Sequence, residues 1–407
     1  MSKHSEQDTL QRELSRERYA LSSLLDFVRT LTPDLGVGGI LKSVIRTIMG
    51  KALIKDALAY GEDESGRLKL LQQKGFHSLS LPDSTAESEL RHLFATQEFE
   101  IPLVLAIESG DDENGVYLLA FGRSMLPNPT IFEEKAFLES LSRLAGMAIS
   151  NARLFESERE RERLESELRL AREIQLSLFP QTLPNISGLE IAAHSRQSEL
   201  VGGDYYDVIS ISETEVLLAI ADVVGKGVSA ALIMSNLQAG LRALVSLIRS
   251  GQLSLLDATK ELNRLLFEST TAERFVTAAF VLLDTRKMRL EAITCGHPKP
   301  IIHRRGGKLL ELATSGIPLG IIPTFPYQSF SERLHEGDAL ILYTDGLSES
   351  TKKGTSVQLG SSGICSILER EVRNDQTAAE ILSILVREET LELHDDVTVV
   401  VARIVGT

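Results

Sequence analysis

The stretch "VGGDYYDVISISETEVLLAIAD", residues 201–222, decides the fold of the larger part of the chain. Two runs rich in Val, Ile and Leu flank a short polar turn at Ser212–Glu215. Strands joined so closely must be antiparallel, because a parallel return needs a crossover of roughly a dozen residues or more. Gly202 and Gly203 stand immediately before Asp204 where the first strand begins, and Asp222 closes the second. In an antiparallel pair the start of one strand lies beside the end of its neighbour, so both carboxylates belong to one edge.

Downstream, the runs "FVTAAFVLLD", "MRLEAIT", "PIIHRR", "KLLELA", "DALILYTD" and "DVTVVVARI" read as further strands, several joined by tight turns such as Gly306-Gly307. Helical segments are expected near 229–268 and 361–393. The second half is therefore expected to be an antiparallel β-sandwich with helices outside.

Upstream, residues 20–50 show three-four apolar spacing twice, broken by Pro33 and three glycines, which predicts helix, turn and helix. Strand-like pieces follow ("DALAYGEDESGRLKLLQQKG", "IPLVLAIE", "GVYLLAFG"), and a long helix is expected from about Phe132. No Gly or Pro interrupts Met147–Phe179, so one helix leaves the first region and enters the next. Leu141, Leu144, Ala148 and Phe155, then Leu164, Leu168, Ala171 and Leu178, keep a near-heptad rhythm around the charged run "ESERERER". That pattern fits a solvated helical spacer or a parallel dimeric coiled coil carrying a signal between domains. Pro180 and Pro184 end it. The class is α+β, with domains expected at 1–145, 146–180 and 181–407.

With 407 residues, 43% hydrophobic and 25% charged, the chain can bury at least two cores. A formal charge of -14 argues against nucleic acid as a partner, since that affinity rests on clustered Lys and Arg. The polar start "MSKHSEQDTLQREL" lacks the apolar core of a signal peptide, and no run approaches the roughly 18 apolar residues of a spanning helix. The expectation is a cytoplasmic protein without a membrane partner. Cys295 and Cys365 have no CxxC neighbours and read as free thiols.

Asp204, Asp222, Asp345 and the pair Asp395-Asp396 all fall at strand ends, where they can share one rim. A single Asp at a turn is commonly a turn former or cap, because its carboxylate bonds local amides. Four at compatible ends suggest more. Clustered carboxylates repel unless cations lie among them, and all-oxygen ligation selects manganese or magnesium over zinc. Two ions about 3.5–4 Å apart would activate water for in-line attack on a phosphoester, which points to a two-metal hydrolase.

The ordered set "VGGDYYD", "IADVVGKGVSAAL", "FVTAAFVLLD", "CGHPKPI", "LYTDGLSES" and "DDVTVVV" resembles the bacterial PPM serine/threonine phosphatases of the SpoIIE/RsbU type over about residues 170–405. The resemblance implies a two-sheet sandwich with two Mn2+ or Mg2+ ions at its rim. It implies Asp204, Asp222, the Val223 carbonyl oxygen, Asp345 and Asp395 as ligands, with Asp207 and Asp396 nearby. It also implies hydrolysis of phosphoserine or phosphothreonine on a STAS-domain protein, an anti-sigma-factor antagonist. Lys226 stands where eukaryotic-type members have a histidine, which leaves the general acid for the leaving serine unassigned; His394 or a water are alternatives, and Lys226 could contact substrate phosphate. His297 reads as a loop-shaping residue. The region before residue 150 is similar in element order to a GAF sensory domain, and "LRLAREIQLSLFPQTLP" to the regulatory switch helix of such phosphatases. On the coiled-coil reading of the linker, a homodimer through it is expected.

Other readings compete. "VVGKGVSA" fits a dinucleotide-binding turn, but no acidic residue follows until Asp257, too far for a ribose partner. "GGDYYD" is similar to the GGDEF turn of diguanylate cyclases, a reading that leaves "YTDGL" and "DDVTVVV" unexplained. A sensor scaffold that binds a signalling partner without catalysis is a third.

Overall fold

A computed structural model describes residues 2–32, 34–63, 65–76, 81–95, 103–108, 116–126, 134–270, 274–313, 316–354, 357–387, 391–392 and 395–406. The chain divides into two compact units, Met1–Arg163 and Leu164–Thr407.

The first unit opens with helices α1 (Ser2–Thr30) and α2 (Val37–Ala52), the first far longer than the sequence pattern suggests. Strands β1 (Ala57–Glu62), β2 (Leu68–Lys74) and β3 (Ser84–Thr85), helix α3 (Glu87–Ala95), and strands β4 (Leu103–Glu108) and β5 (Val116–Phe121) follow. They build an antiparallel sheet of order β3-β2-β1-β5-β4. Side chains alternate across a strand, so Ala57 and Ala59 of β1 join the core under α2 while Leu58 and Tyr60 join the one under α3. In α2, Ile40, Leu41, Val44, Ile45 and Ile48 recur at three-four spacing and form its buried face. Phe132, the expected start of the next helix, lies outside the described residues; helix α4 runs unbroken from Lys135 to Leu178. Its Leu141, Ala145 and Ile149 pack into the core under α2.

The second unit contains strands β6 (Leu189–Arg196), β7 (Tyr205–Ser210) and β8 (Glu215–Val223), helices α5 (Val228–Arg249) and α6 (Leu255–Ser269), then β9 (Val276–Asp284), β10 (Arg289–Cys295), β11 (Ile301–His303), β12 (Leu309–Glu311), β13 (Phe330–Arg333) and β14 (Ala339–Tyr343). It ends with a short helix α7 (Asp345–Glu349), β15 (Thr351–Lys352), α8 (Gly360–Glu371), α9 (Ala378–Leu385), β16 (Leu391–Glu392) and β17 (Val397–Ile404). Two five-stranded antiparallel sheets form, in the orders β13-β10-β9-β8-β7 and β12-β11-β14-β17-β6. The expected strands are all present, while β6 and β13 carry no clear signal in the sequence. The helical stretches expected at 229–268 and 361–393 are each two helices.

Alternation sorts each strand between two layers. Val216, Leu218 and Ile220 of β8 meet Leu340 and Leu342 of β14 and Val400 and Ala402 of β17 between the sheets. Leu217, Ala219 and Ala221 face α5 and α6, and Ile341, Val399 and Val401 face α8 and α9. This is the expected sandwich with helices outside. Contrary to the expectation that no run approaches a spanning length, helix α5 is long and apolar enough to cross a bilayer. Its Met234, Leu237, Leu241 and Val245 lie in the core against β7 and β8.

Candidate active site

Register fixes the first two carboxylates. Tyr205 of β7 pairs with Ala221 of β8, so Asp204 lies one step beyond that pair, beside Asp222. Both have the parity of Tyr206, Val208, Leu218 and Ile220, which places them on the inter-sheet face at the rim of the sandwich. Across the gap, β14 leads into Thr344 and Asp345, and β17 begins directly after Asp395 and Asp396. Tyr343 pairs with Val399, so these ends share the same rim.

Asp204 is 1% exposed, and its Oδ2 accepts hydrogen bonds from Thr344 Oγ1 at 2.9 Å and Thr398 Oγ1 at 2.6 Å. Burial, and then the charge of Asp222, push its carboxyl well above the usual range despite those bonds. Asp222 is pushed up from 3.8 to about 7, by burial first and then by the charges of Asp345, Asp395 and Asp396. Asp345 opens α7 and is raised by burial and by Asp395. The four carboxylates expected from sequence are thus brought to one rim, close enough to perturb one another. Among the described residues, no three His, Cys, Asp or Glu side chains form a group that could hold a metal ion as they stand. Thr344 and Thr398 hold Asp204, and the Lys226 ammonium holds Asp395 with Nζ 3.0 Å from Oδ1.

Close backbone approach explains the glycines. A Cβ on Gly203 would lie 2.8 Å from the Val223 carbonyl oxygen and 3.3 Å from Asp222 Oδ1. One on Gly346 would collide with the carbonyl oxygen of Asp396. The Val223 carbonyl therefore stands against the loop that carries Asp204.

Asp396 secures that loop. Its Oδ1 accepts from Ser198 N at 2.7 Å and Ser198 Oγ at 2.8 Å, and its Oδ2 from Gly203 N at 3.1 Å. Gln175 near the end of α4 secures it too, donating from Nε2 to Gly202 O at 2.7 Å and accepting from Gly202 N at 3.2 Å. Neither role is visible in the sequence, because each partner is distant along the chain.

Asp207 is not at the rim, contrary to expectation. Its odd position turns it to the opposite face of β7, where it is fully buried and bidentate with Arg242 of α5 at 2.6 and 2.7 Å. Tyr205 Oη donates to it at 2.7 Å. His394 lies outside the described residues. His297 is buried, its Nδ1 is 3.0 Å from Thr277 Oγ1, and burial lowers its imidazole to about 3, so it is neutral.

The Stage II sporulation protein E (SpoIIE) family model matches residues 212–405. The chain is 29% identical over 247 residues to the phosphoserine phosphatase RsbU of Bacillus subtilis, covering 59% of this chain and 70% of RsbU. It is 28% identical to the phosphoserine phosphatase RsbP of the same organism, spanning 46% of that protein. Among solved structures, the RsbU and RsbW domains of Rv1364c from Mycobacterium tuberculosis share 27% identity over 55% of this chain and 62% of that one, with a TM-score of 0.45. The PstP catalytic domain in complex with two manganese ions shares 19% over 54% of this chain and 99% of that one, with a TM-score of 0.38. The chain is thus similar, over residues 212–405, to the SpoIIE family, and to the phosphoserine phosphatases RsbU and RsbP.

Proposed function

We propose that the chain hydrolyses phosphoserine or phosphothreonine on a partner protein, with two Mn2+ or Mg2+ ions as cofactor. Asp204, Asp222, the Val223 carbonyl oxygen, Asp345 and Asp395 are the ligands. One observation carries this reading: the register of β7 with β8 and of β14 with β17 sets Asp204, Asp222, Asp345 and Asp395 at one rim, where burial and neighbouring charge raise the carboxyls of Asp204, Asp222 and Asp345. Divalent ions fit that donor set, because it is all oxygen and gathers three carboxylates besides Asp395, which the exposed Lys226 ammonium pairs. When bound, such ions supply Lewis acidity toward the phosphoryl group and lower the pKa of water.

The chain's own residues do the positioning. Thr344 and Thr398 orient Asp204, Asp396 ties the Ser198–Gly203 segment to the start of β17, and His297 is too buried and too weakly basic to protonate a leaving serine. The preferred substrate is a phosphorylated STAS-domain protein, as the family resemblance implies.

Residues 1–145 act as a GAF-like sensory domain, 146–180 as a coiled-coil linker and switch helix, and 181–407 as the catalytic domain. The grip of Gln175 on Gly202, and the packing of Phe179 against Tyr205 and Tyr206, support control through the end of α4. Exposed Leu154 and Leu164 on that helix support a homodimer through the linker. We place the protein in the cytoplasm.

The test is phosphate release from a phosphoserine STAS-domain protein by the full chain with manganese. Release that vanishes on chelation and in Asp222→Ala and Asp345→Ala is expected. No release, together with no manganese binding by calorimetry, rejects the reading in favour of a scaffold.

A further inference from the structure

Lys226 lies in the loop from β8 to α5, between Gly225 and Gly227, whose φ values of 97° and 72° suit glycine. Only three residues separate it from Asp222, yet its ammonium faces Asp395, which arrives from far along the chain. The pair is 3.0 Å apart, and both side chains keep solvent access, 52% and 36% exposed. Asp395 also accepts the Asp396 backbone N–H through the same Oδ1, at 2.9 Å.

Two properties of this contact matter. An exposed ion pair is weak, because water screens it and the long lysine side chain loses freedom in making it. A carboxylate oxygen that accepts an ammonium also offers less negative charge to a metal ion, and a divalent ion exerts twice the charge of the amine at similar range. The lysine is therefore easily displaced, at a small cost to the ion that displaces it. The glycines on either side leave it room to withdraw.

We infer that Lys226 is a tethered counter-ion of Asp395, which holds this carboxylate in the ion-free centre and must release it when an ion binds, thereby setting the metal affinity of the site. The inference rests on the two-ion reading of the rim. Lys226 on this account is a positioning residue that acts through Asp395.

The experiment is calorimetric titration of Mn2+ into the full chain, stripped of metal, for the parent, Lys226→Gln, Asp395→Asn and the double variant, with circular dichroism confirming the fold. Lys226→Gln is expected to bind Mn2+ about two- to fivefold more tightly, the scale of an exposed ion pair. In the Asp395→Asn background the same change is expected to alter affinity less than twofold, since the partner is gone. Unchanged or weaker binding by Lys226→Gln overturns the inference. So does an equal gain in the Asp395→Asn background, which would mark a long-range charge effect. Parent protein that binds no Mn2+ overturns the two-ion reading and this inference together, whereas parent binding with no effect of Lys226→Gln overturns this inference alone.

Discussion

Gln175 and Gly202 exchange two hydrogen bonds, side chain to backbone in both directions, at 2.7 and 3.2 Å. Gly202 stands two residues before Asp204, so the end of α4 is fastened to the segment that presents a candidate ligand. Gln175→Ala strands both polar groups of a buried glycine, at about 1–3 kcal/mol. We expect a lower urea midpoint for the catalytic domain and a roughly tenfold loss of phosphate release. Activity within twofold of the parent would show that this fastening does not matter to the site.

Asp345→Ala is expected to abolish phosphate release while changing stability by less than about 1 kcal/mol, because deleting one of several clustered carboxylates relieves repulsion in the ion-free protein. The assay is phosphate release alongside thermal unfolding. Activity within tenfold of the parent rejects Asp345 as a ligand.

The raised Asp222 carboxyl gives a pH prediction with a definite sign. Its pKa is 3.8 when unfolded and about 7 when folded, so the native state holds the proton more tightly. This group's contribution to stability is complete below about pH 4 and is lost as pH rises toward 7. Chelator-treated protein should therefore have a lower Tm at pH 7.5 than at pH 5, and Asp222→Asn should flatten much of that difference. A parent and variant with parallel pH profiles would contradict it.

Arg242→Ala leaves the fully buried Asp207 carboxylate without its cation, with only Tyr205 and the Val208 N–H still bonded to it. Removing one member of a buried pair costs about 3–5 kcal/mol, and the half-exposed arginine places this case at the lower end. Equilibrium denaturation reads the loss directly; a change below about 1 kcal/mol would mean that water compensates Asp207.

Leu168→Pro interrupts α4 within its second-unit portion. If the linker is the seam of the proposed dimer, sedimentation is expected to show a dimeric parent and a monomeric variant, with intrinsic phosphatase activity retained on a saturating substrate. A variant that still sediments as a dimer argues against the linker as the dimer seam.

Much of this architecture could be read from local pattern. Alternating apolar runs located β8, β9, β14 and β17, and the short turn at Ser212–Glu215 forced antiparallel pairing. The same logic placed Asp204, Asp222, Asp345 and Asp395 on one rim. Parity, taken one step further, would also have sent Asp207 to the opposite face, since an odd offset from Asp204 reverses the side chain. Strand β6 has only a faint apolar alternation, because it is an edge strand whose residues are mostly half-buried.

What the sequence determined alone is periodic: which segments become strands or helices, which side each residue takes, and which carboxylates end on a common edge. What only the tertiary structure decided is pairing between distant residues, such as Gln175 with Gly202, Lys226 with Asp395, Asp396 with Ser198, and Thr344 and Thr398 with Asp204. Periodicity is a property of neighbours along the chain, whereas these contacts depend on which strand ends the packed sheets bring together. No local pattern records that choice.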